Sequence, residues 1–92
     1  MKAEKPKLSI IDIWSPYCPP CKAMEPIIDK ISKEFEEVEV KKLNAVENFE
    51  LVSKYGIKMV PTILFLKDGK LVDSSVGAMT EAELENKIRK HI

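Results

Sequence analysis

Residues 14–22 read Trp14-Ser15-Pro16-Tyr17-Cys18-Pro19-Pro20-Cys21-Lys22, and the chain contains no other cysteines. The apolar run Leu8–Trp14 leads into it, and apolar residues spaced three and four apart follow it, as in a helix. A helix that begins at the first cysteine offers its sulfur unpaired N–H groups and a favourable dipole, which lower the pKa of a thiol. Cys21, one helical turn later, is placed to attack a mixed disulfide formed on Cys18. We therefore interpret the pair as a redox-active dithiol.

Two other interpretations of the cysteine pair remain open. A structural zinc site needs about four ligands, and His91 is the only other conventional nitrogen or sulfur ligand in the sequence. Zinc would therefore require two chains. A purely structural disulfide closes so short a loop that it would contribute only about 2 kcal/mol. Redox chemistry is favoured over both.

Length and charge narrow the class of protein. The 92 residues, 45% of them hydrophobic, predict a single domain over residues 1–92 with a charged lead-in over residues 1–7. Fifteen basic and fifteen acidic residues cancel, which leaves no electrostatic footprint for nucleic acid or an anionic membrane. No apolar run is long enough to cross a membrane, and residues 1–7 lack the apolar stretch of a signal peptide. We expect a cytoplasmic protein with neither nucleic-acid nor membrane partners.

The first half of the chain predicts a strand, a helix and a second strand. Residues 8–14 are apolar on both faces, as in a central strand covered by helices. Residues 20–35 predict a helix with a kink near Pro26, which has no backbone N–H to donate. Residues 38–43 predict a strand whose charges suit an exposed sheet edge.

The second half predicts a short helix, a hairpin and a closing helix. The short helix covers residues 47–55 and ends at Gly56. Strands over residues 62–66 and 71–76 flank Asp68-Gly69, a strong hairpin signal.

The closing helix carries its own start signals. Thr80 and Glu83 form a capping box, and Met79 and Leu84 have the spacing of a hydrophobic staple. Its predicted buried stripe comprises Leu84, Ile88 and Ile92. The resulting order, β-α-β-α-β-β-α, predicts an α/β sandwich in which three helices flank a four-stranded mixed sheet.

The set of motifs along the chain resembles the thioredoxin family. Asp12-Ile13-Trp14 leads into the two cysteines, and Pro26 follows five residues after Cys21. The later motifs, in family order, are Lys42-Leu43-Asn44, Lys54-Tyr55-Gly56-Ile57, Val60-Pro61-Thr62, Asp68-Gly69 and Val76-Gly77-Ala78. The resemblance covers residues 8–92 and implies a thioredoxin-like fold and an enzyme that reduces protein disulfides.

The resemblance also implies roles for the positions that match. Cys18 would be the attacking thiolate and Cys21 the resolving thiol, and the two would form the redox disulfide. Asp12 would be a buried carboxylate that exchanges a proton with Cys21, with Lys42 as its neighbour on the adjacent strand. Pro61 would be in the cis form beside the sulfurs. The implied substrate-docking residues are Trp14, Tyr17, Val60, Pro61, Gly77 and Ala78.

Three departures from the family bear on function. The chain is shorter than a usual thioredoxin and lacks the first strand and helix, so that the strand over residues 38–43 becomes an edge. Tyr17 stands where the family usually has Trp. Pro19 replaces the usual Gly, so neither residue between the cysteines has a backbone N–H. The reaction class carries over from the family, but the redox potential does not.

Simpler roles compete with several of these assignments. Asp12 could be a structural residue paired with Lys42, and Pro61 could be an ordinary trans proline at the start of a strand. The methionines Met24 and Met59 are expected to serve packing. His91, close to the chain end, is expected to be inert.

The sequence thus favours a thioredoxin-like protein-disulfide reductase. We expect the protein to need no metal or organic cofactor, to act as a monomer, and to take electrons from a thioredoxin-reductase-like or glutathione-based donor. The alternatives are a glutathione-dependent enzyme resembling glutaredoxin, a disulfide oxidant or isomerase, and a non-catalytic binding module or metal-bridged dimer.

Overall fold

Strand β1 (Leu8–Trp14) is central in the sheet, as its apolar sequence predicted. It pairs in parallel with β2 (Val38–Asn44) and antiparallel with β3 (Thr62–Lys67), and β3 pairs antiparallel with β4 (Lys70–Val76). The sheet order is β2-β1-β3-β4, so β2 is an edge strand, as its charges indicated. This computed structural model describes residues 5–92, and residues 1–4 of the predicted lead-in lie outside the described residues.

Three helices connect and close the sheet: α1 (Pro19–Glu34), α2 (Phe49–Lys54) and α3 (Glu81–His91). Helix α1 begins one residue earlier than predicted, because a proline costs no hydrogen bond at the first helical position. Among the described helices, none combines the length and apolar character needed to cross a membrane.

Helix α2 is shorter than the predicted 47–55 because an asparagine-based turn precedes it. The Asn44 side chain accepts a hydrogen bond from the Val46 backbone N–H at 2.9 Å, and the Asn48 side chain donates to the Asn44 carbonyl at 2.9 Å. These bonds hold residues 44–48 in a turn, and the helix begins only at Phe49. No residue of α2 is buried.

The hydrophobic core lies between one face of the sheet and helices α1 and α3. The central strands contribute side chains from alternate positions, and each helix contributes a stripe of residues three or four apart. The buried members are Leu8, Ile10, Met24, Ile28, Ile31, Phe35, Val38, Ile63, Phe65, Met79, Leu84 and Ile88. This core fixes α1, and with it the cysteine pair, against β1.

The predicted hairpin is present and is tighter than expected. Asp68 and Gly69 both adopt positive φ angles, 53° and 79°, as a two-residue turn between antiparallel strands requires. Lys67 and Lys70 therefore pair directly, and each strand is one residue longer than predicted.

The start of α3 matches its sequence signals, but its end does not. The capping box between Thr80 and Glu83 is present, and Leu84 and Ile88 are buried. Ile92, predicted to extend the buried stripe, is exposed because the helix has ended at His91.

His91, which was expected to be inert, makes contacts within the fold. Its Nε2 lies 3.0 Å from Asp73 Oδ2, and the Lys87 Nζ donates to Asp73 Oδ1 at 3.0 Å. The His91 backbone carbonyl also accepts a hydrogen bond from Lys67 at 2.8 Å. These contacts hold the C-terminal end of α3 against the β3–β4 hairpin.

We expect Asp73→Asn to lower the free energy of unfolding by about 1–2 kcal/mol at neutral pH, because it weakens partly exposed charge-assisted hydrogen bonds. The hydrogen bond from His91, followed by that from Lys87, lowers the pKa of Asp73 from 3.8 to about 2. A carboxylate with a lowered pKa stabilises the fold above its unfolded pKa and loses that effect as pH falls through its folded pKa. The difference in free energy of unfolding between the wild type and Asp73→Asn should therefore disappear between about pH 4 and pH 2.

Urea unfolding across this pH range measures the effect. Asp68→Asn is the matched control, since Asp68 is an exposed carboxylate in the hairpin turn. A deficit that stays constant down to about pH 2 would contradict the account.

Candidate active site

The two cysteines are joined in a disulfide at the start of α1. Cys18 is the N-cap residue, and the Cys21 backbone N–H donates both to its carbonyl at 3.0 Å and to its sulfur at 3.2 Å. Pro19 and Pro20 have no N–H, so this is the backbone donor that the motif retains. In the reduced protein, this donor and the helix dipole favour a thiolate on Cys18.

A surface depression beside the cysteine pair distinguishes Cys18 from Cys21. A surface depression of about 350 Å³ is lined by Pro16, Tyr17, Cys18, Pro19 and Lys22. Both cysteines are buried, Cys18 at 6% and Cys21 at 3% exposure, but Cys21 does not line the depression. Tyr17, in the loop before the helix, is 88% exposed. A substrate sulfur that approaches through the depression therefore meets Cys18 first.

The sheet brings two further loops to the end of β1 that carries the cysteines. The antiparallel register places Thr62 opposite both Ile13 and Val76, so β3 begins where β1 and β4 end. Pro61 and Gly77 meet at this edge, where the Gly77 N–H donates to the Pro61 carbonyl at 2.8 Å. The Val60-Pro61 peptide bond is cis, as the resemblance implied, and the trans alternative was wrong.

The residues of the implied docking surface differ in exposure. Trp14 and Val60 are half-buried, Ala78 is exposed, and Pro61 is buried. Together with Tyr17 and Gly77, they lie on or beside the three loops that leave this end of the sheet. Their contact with a substrate stays a prediction.

Asp12 is a carboxyl group buried within β1. It is 2% exposed, and its Oδ1 accepts no hydrogen bond from the residues that the structure describes. Burial raises the pKa of Asp12 from 3.8 to about 6, with Lys42 lowering it and Glu25 and Asp29 raising it further. A carboxyl group with this pKa exchanges its proton close to neutral pH.

Lys42 is the neighbour of Asp12 but not its ion-pair partner. The parallel register aligns Lys42 with Asp12 across β1 and β2. Its Nζ, however, lies 2.7 Å from Asp29 Oδ1 on α1. The hydrogen bond to Asp29 raises the pKa of Lys42 and keeps it a cation. The simple Asp12–Lys42 pair offered as an alternative was therefore wrong.

Glu25 and Asp29 are the charged neighbours of Asp12 that sequence reasoning missed. They follow Cys21 at intervals of four residues along α1. This spacing places them along one side of a helix and could have indicated their proximity to the site.

Known proteins match both the sequence and the fold. The family model named Thioredoxin matches residues 2–90. Thioredoxin 1 from Synechococcus elongatus is 39% identical over 84 residues, which cover 90% of this chain and 78% of that protein. A thioredoxin from Fasciola hepatica superposes with a TM-score of 0.89 at 36% identity, covering 96% of this chain and 84% of that one. One from Nicotiana alata gives a TM-score of 0.88 at 39% identity, covering 96% and 76%.

The sheet order, the three helices and the motif at the start of α1 agree with these matches. Thioredoxins act on protein disulfides and depend on a reductase partner, and the bonded cysteines supply the group that such chemistry needs. The chain therefore belongs to the thioredoxin family and is a thiol–disulfide oxidoreductase with Cys18 and Cys21 as its redox pair.

Proposed function

We propose that the protein works as a reductant of protein disulfides, with Cys18 as nucleophile and Cys21 as resolving thiol. The observation that carries this assignment is the position of Cys18. Its sulfur accepts a hydrogen bond from the Cys21 N–H at the N-cap of α1, and Cys18, unlike Cys21, lines the surface depression. Nucleophilicity and access thus favour the same sulfur.

The cycle begins with the reduced dithiol. The Cys18 thiolate attacks one sulfur of a substrate disulfide, forms a mixed disulfide and releases the other substrate sulfur as a thiolate, which takes a proton from water. The Cys21 thiol then loses its proton and attacks the Cys18 sulfur. The Cys18–Cys21 disulfide forms, and the second substrate sulfur leaves and is protonated. The substrate gains two electrons and the enzyme loses two, so an external reductase must restore the dithiol.

Asp12 is assigned as the acceptor of the Cys21 proton. Asp12 lies on the same face of β1 as Leu8 and Ile10, which belong to the core packed under α1, and Cys21 lies in the first turn of that helix. With a pKa near 6, the carboxyl group is ionised at neutral pH yet basic enough to take a proton from a thiol.

We further propose that a thioredoxin-reductase-like enzyme supplies the electrons, and that the protein acts as a monomer in the cytoplasm. Support for a monomer comes from edge strand β2, where Lys41 Nζ lies 3.6 Å from Glu39 Oε1. Charged groups on a sheet edge discourage pairing with a second molecule. A reducing compartment favours use of the cysteine pair in catalysis over a structural disulfide.

Reduction of insulin tests the assignment. We expect the protein to accelerate insulin reduction by dithiothreitol, and to accept electrons from thioredoxin reductase but not from glutathione with its reductase. Cys18→Ser should abolish turnover. Cys21→Ser should instead accumulate a mixed disulfide with an insulin chain, because no resolving thiol remains. Mass spectrometry under non-reducing conditions detects that adduct.

The two serine variants are matched controls for each other. If Cys18→Ser traps substrate and Cys21→Ser does not, the roles are reversed. Coupling to glutathione alone would replace the proposal with the glutaredoxin-like alternative.

Asp12→Asn tests the proton acceptor. We expect slower resolution of the mixed disulfide and the loss of its pH dependence near pH 6, where Asp12 titrates. The variant should also be more stable by about 1–3 kcal/mol at neutral pH, because it removes a buried charge without a hydrogen-bond partner at one oxygen. Because the pKa of Asp12 is raised, the wild-type carboxyl stabilises the fold below about pH 4 and loses that effect as pH rises through about 6. The stability gained by Asp12→Asn at neutral pH should therefore vanish in acid.

Stopped-flow kinetics and urea unfolding measure the two effects. Asp68→Asn serves as the control for removal of a distant carboxylate. An unchanged pH profile for resolution would make Asp12 a structural residue only.

A further inference from the structure

Lys42 is the strand neighbour of one carboxylate, Asp12, and contacts another, Asp29. Lys42 and Asp12 are aligned partners on neighbouring parallel strands, whose side chains point to the same face of the sheet. Lys42 Nζ nevertheless donates to Asp29 Oδ1 on α1 at 2.7 Å. Asp12 Oδ1 is left buried and without a hydrogen bond from the described residues.

The charged groups that act on the Asp12 carboxyl come from two elements. Strand β2 contributes Lys42, and helix α1 contributes Glu25 and Asp29. Strand β3, on the other side of β1, places the apolar Ile63 opposite Asp12. The Lys42 ammonium is therefore the one cation among the described residues that acts on the Asp12 charge.

We propose that Asp29 is a positioning residue for the redox reaction: it holds the Lys42 ammonium on α1 and thereby keeps it from pairing directly with Asp12. The functional part of this inference rests on the proposed role of Asp12 as proton acceptor. Asp29 itself is an exposed residue that faces solvent on α1 and acts through Lys42.

The arrangement matters because proton transfer from Cys21 depends on the basicity of the acceptor. A cation in direct contact with a carboxylate stabilises the charged form and lowers its pKa by about 1–3 units. Each unit makes transfer of a thiol proton to that carboxylate about tenfold less favourable. Because Lys42 binds Asp29, its ammonium still lowers the free-energy cost of ionising the buried Asp12. It does not pair with Asp12 directly, so the Asp12 carboxylate keeps its basicity.

A double-mutant cycle tests this mechanism in the oxidised protein, where the cysteines do not titrate. The Asp12 carboxyl is followed by ¹³C NMR as a function of pH in the wild type, Asp29→Ala, Lys42→Met and the double variant. We expect Asp29→Ala to lower the Asp12 midpoint by about half a unit to one unit, because the released ammonium can pair with Asp12. Lys42→Met should raise the midpoint.

In the Lys42→Met background, Asp29→Ala should shift the Asp12 midpoint by less than half as much as it does in the wild type, because no ammonium remains to be released. Asp29→Ala is expected to fold, since the side chain is exposed and alanine favours a helix. Glu34→Ala is the matched control on the same helix, because Glu34 contacts Lys30 and is not among the groups that act on Asp12. It should leave the midpoint unchanged.

Equal shifts in both backgrounds would show that Asp29 acts only through its own charge, and would overturn the proposal. An unchanged or raised midpoint in Asp29→Ala would overturn it as well.

Resolution kinetics of the mixed disulfide separate this proposal from the proposed function. We expect Asp29→Ala to move the pH profile of resolution to lower pH by the same amount as the NMR midpoint, and to slow the step at neutral pH. A shifted midpoint with unchanged resolution would refute Asp12 as proton acceptor, and with it the role of Asp29 in the reaction. An unshifted midpoint, together with slow resolution in Asp12→Asn, would refute the role of Asp29 alone.

Discussion

The hydrogen bond from the Cys21 backbone N–H to the Cys18 sulfur is the contact on which the proposed chemistry of this protein depends. It exists because the chain passes from β1 into α1 through a turn that makes Cys18 the N-cap residue. Below that turn, Met24, Ile28 and Ile31 pack into the core and hold the helix against the sheet. Because Pro19 and Pro20 bring no N–H groups, the proposed mechanism relies on this one backbone donor and the helix dipole to stabilise a Cys18 thiolate.

The buried carboxyl of Asp12 works against stability, and in the proposed mechanism it favours catalysis. A pKa raised from 3.8 to about 6 means that the ionised form costs folding free energy at neutral pH. The same property makes the group a base of useful strength for a thiol proton. Lys42 lowers the cost through its charge, but its hydrogen bond goes to Asp29. The active site therefore retains a basic carboxylate at the expense of some stability.

Local signals in the sequence were sufficient for much of the fold. The apolar run of β1, the Asp68-Gly69 turn and the capping box of α3 each depend on residues close together in the chain, and each prediction was confirmed. The cis form of Pro61 was predictable only through the family resemblance, since only about 5–6% of X–Pro bonds in folded proteins are cis.

Contacts between residues distant in sequence were the ones that could not be predicted. The pairs Lys42–Asp29 and His91–Asp73 join residues 13 and 18 positions apart, and both depend on how a helix packs against the sheet. Residue type could suggest an ion pair for Lys42, but two carboxylates competed for it and only the packing of α1 decided between them. The turn at Asn44 likewise shortened α2 through side-chain hydrogen bonds that a helical pattern does not reveal.

The pH dependence of alkylation of the two thiols in the reduced protein tests most directly whether the start of α1 activates Cys18. Iodoacetamide reacts with thiolates, and peptide mass spectrometry assigns each adduct to Cys18 or Cys21. We expect Cys18 to be alkylated first, with a midpoint below the value of about 8.5 for an ordinary cysteine. Earlier alkylation of Cys21, or a Cys18 midpoint at or above that value, would contradict the claim that the start of α1 activates Cys18.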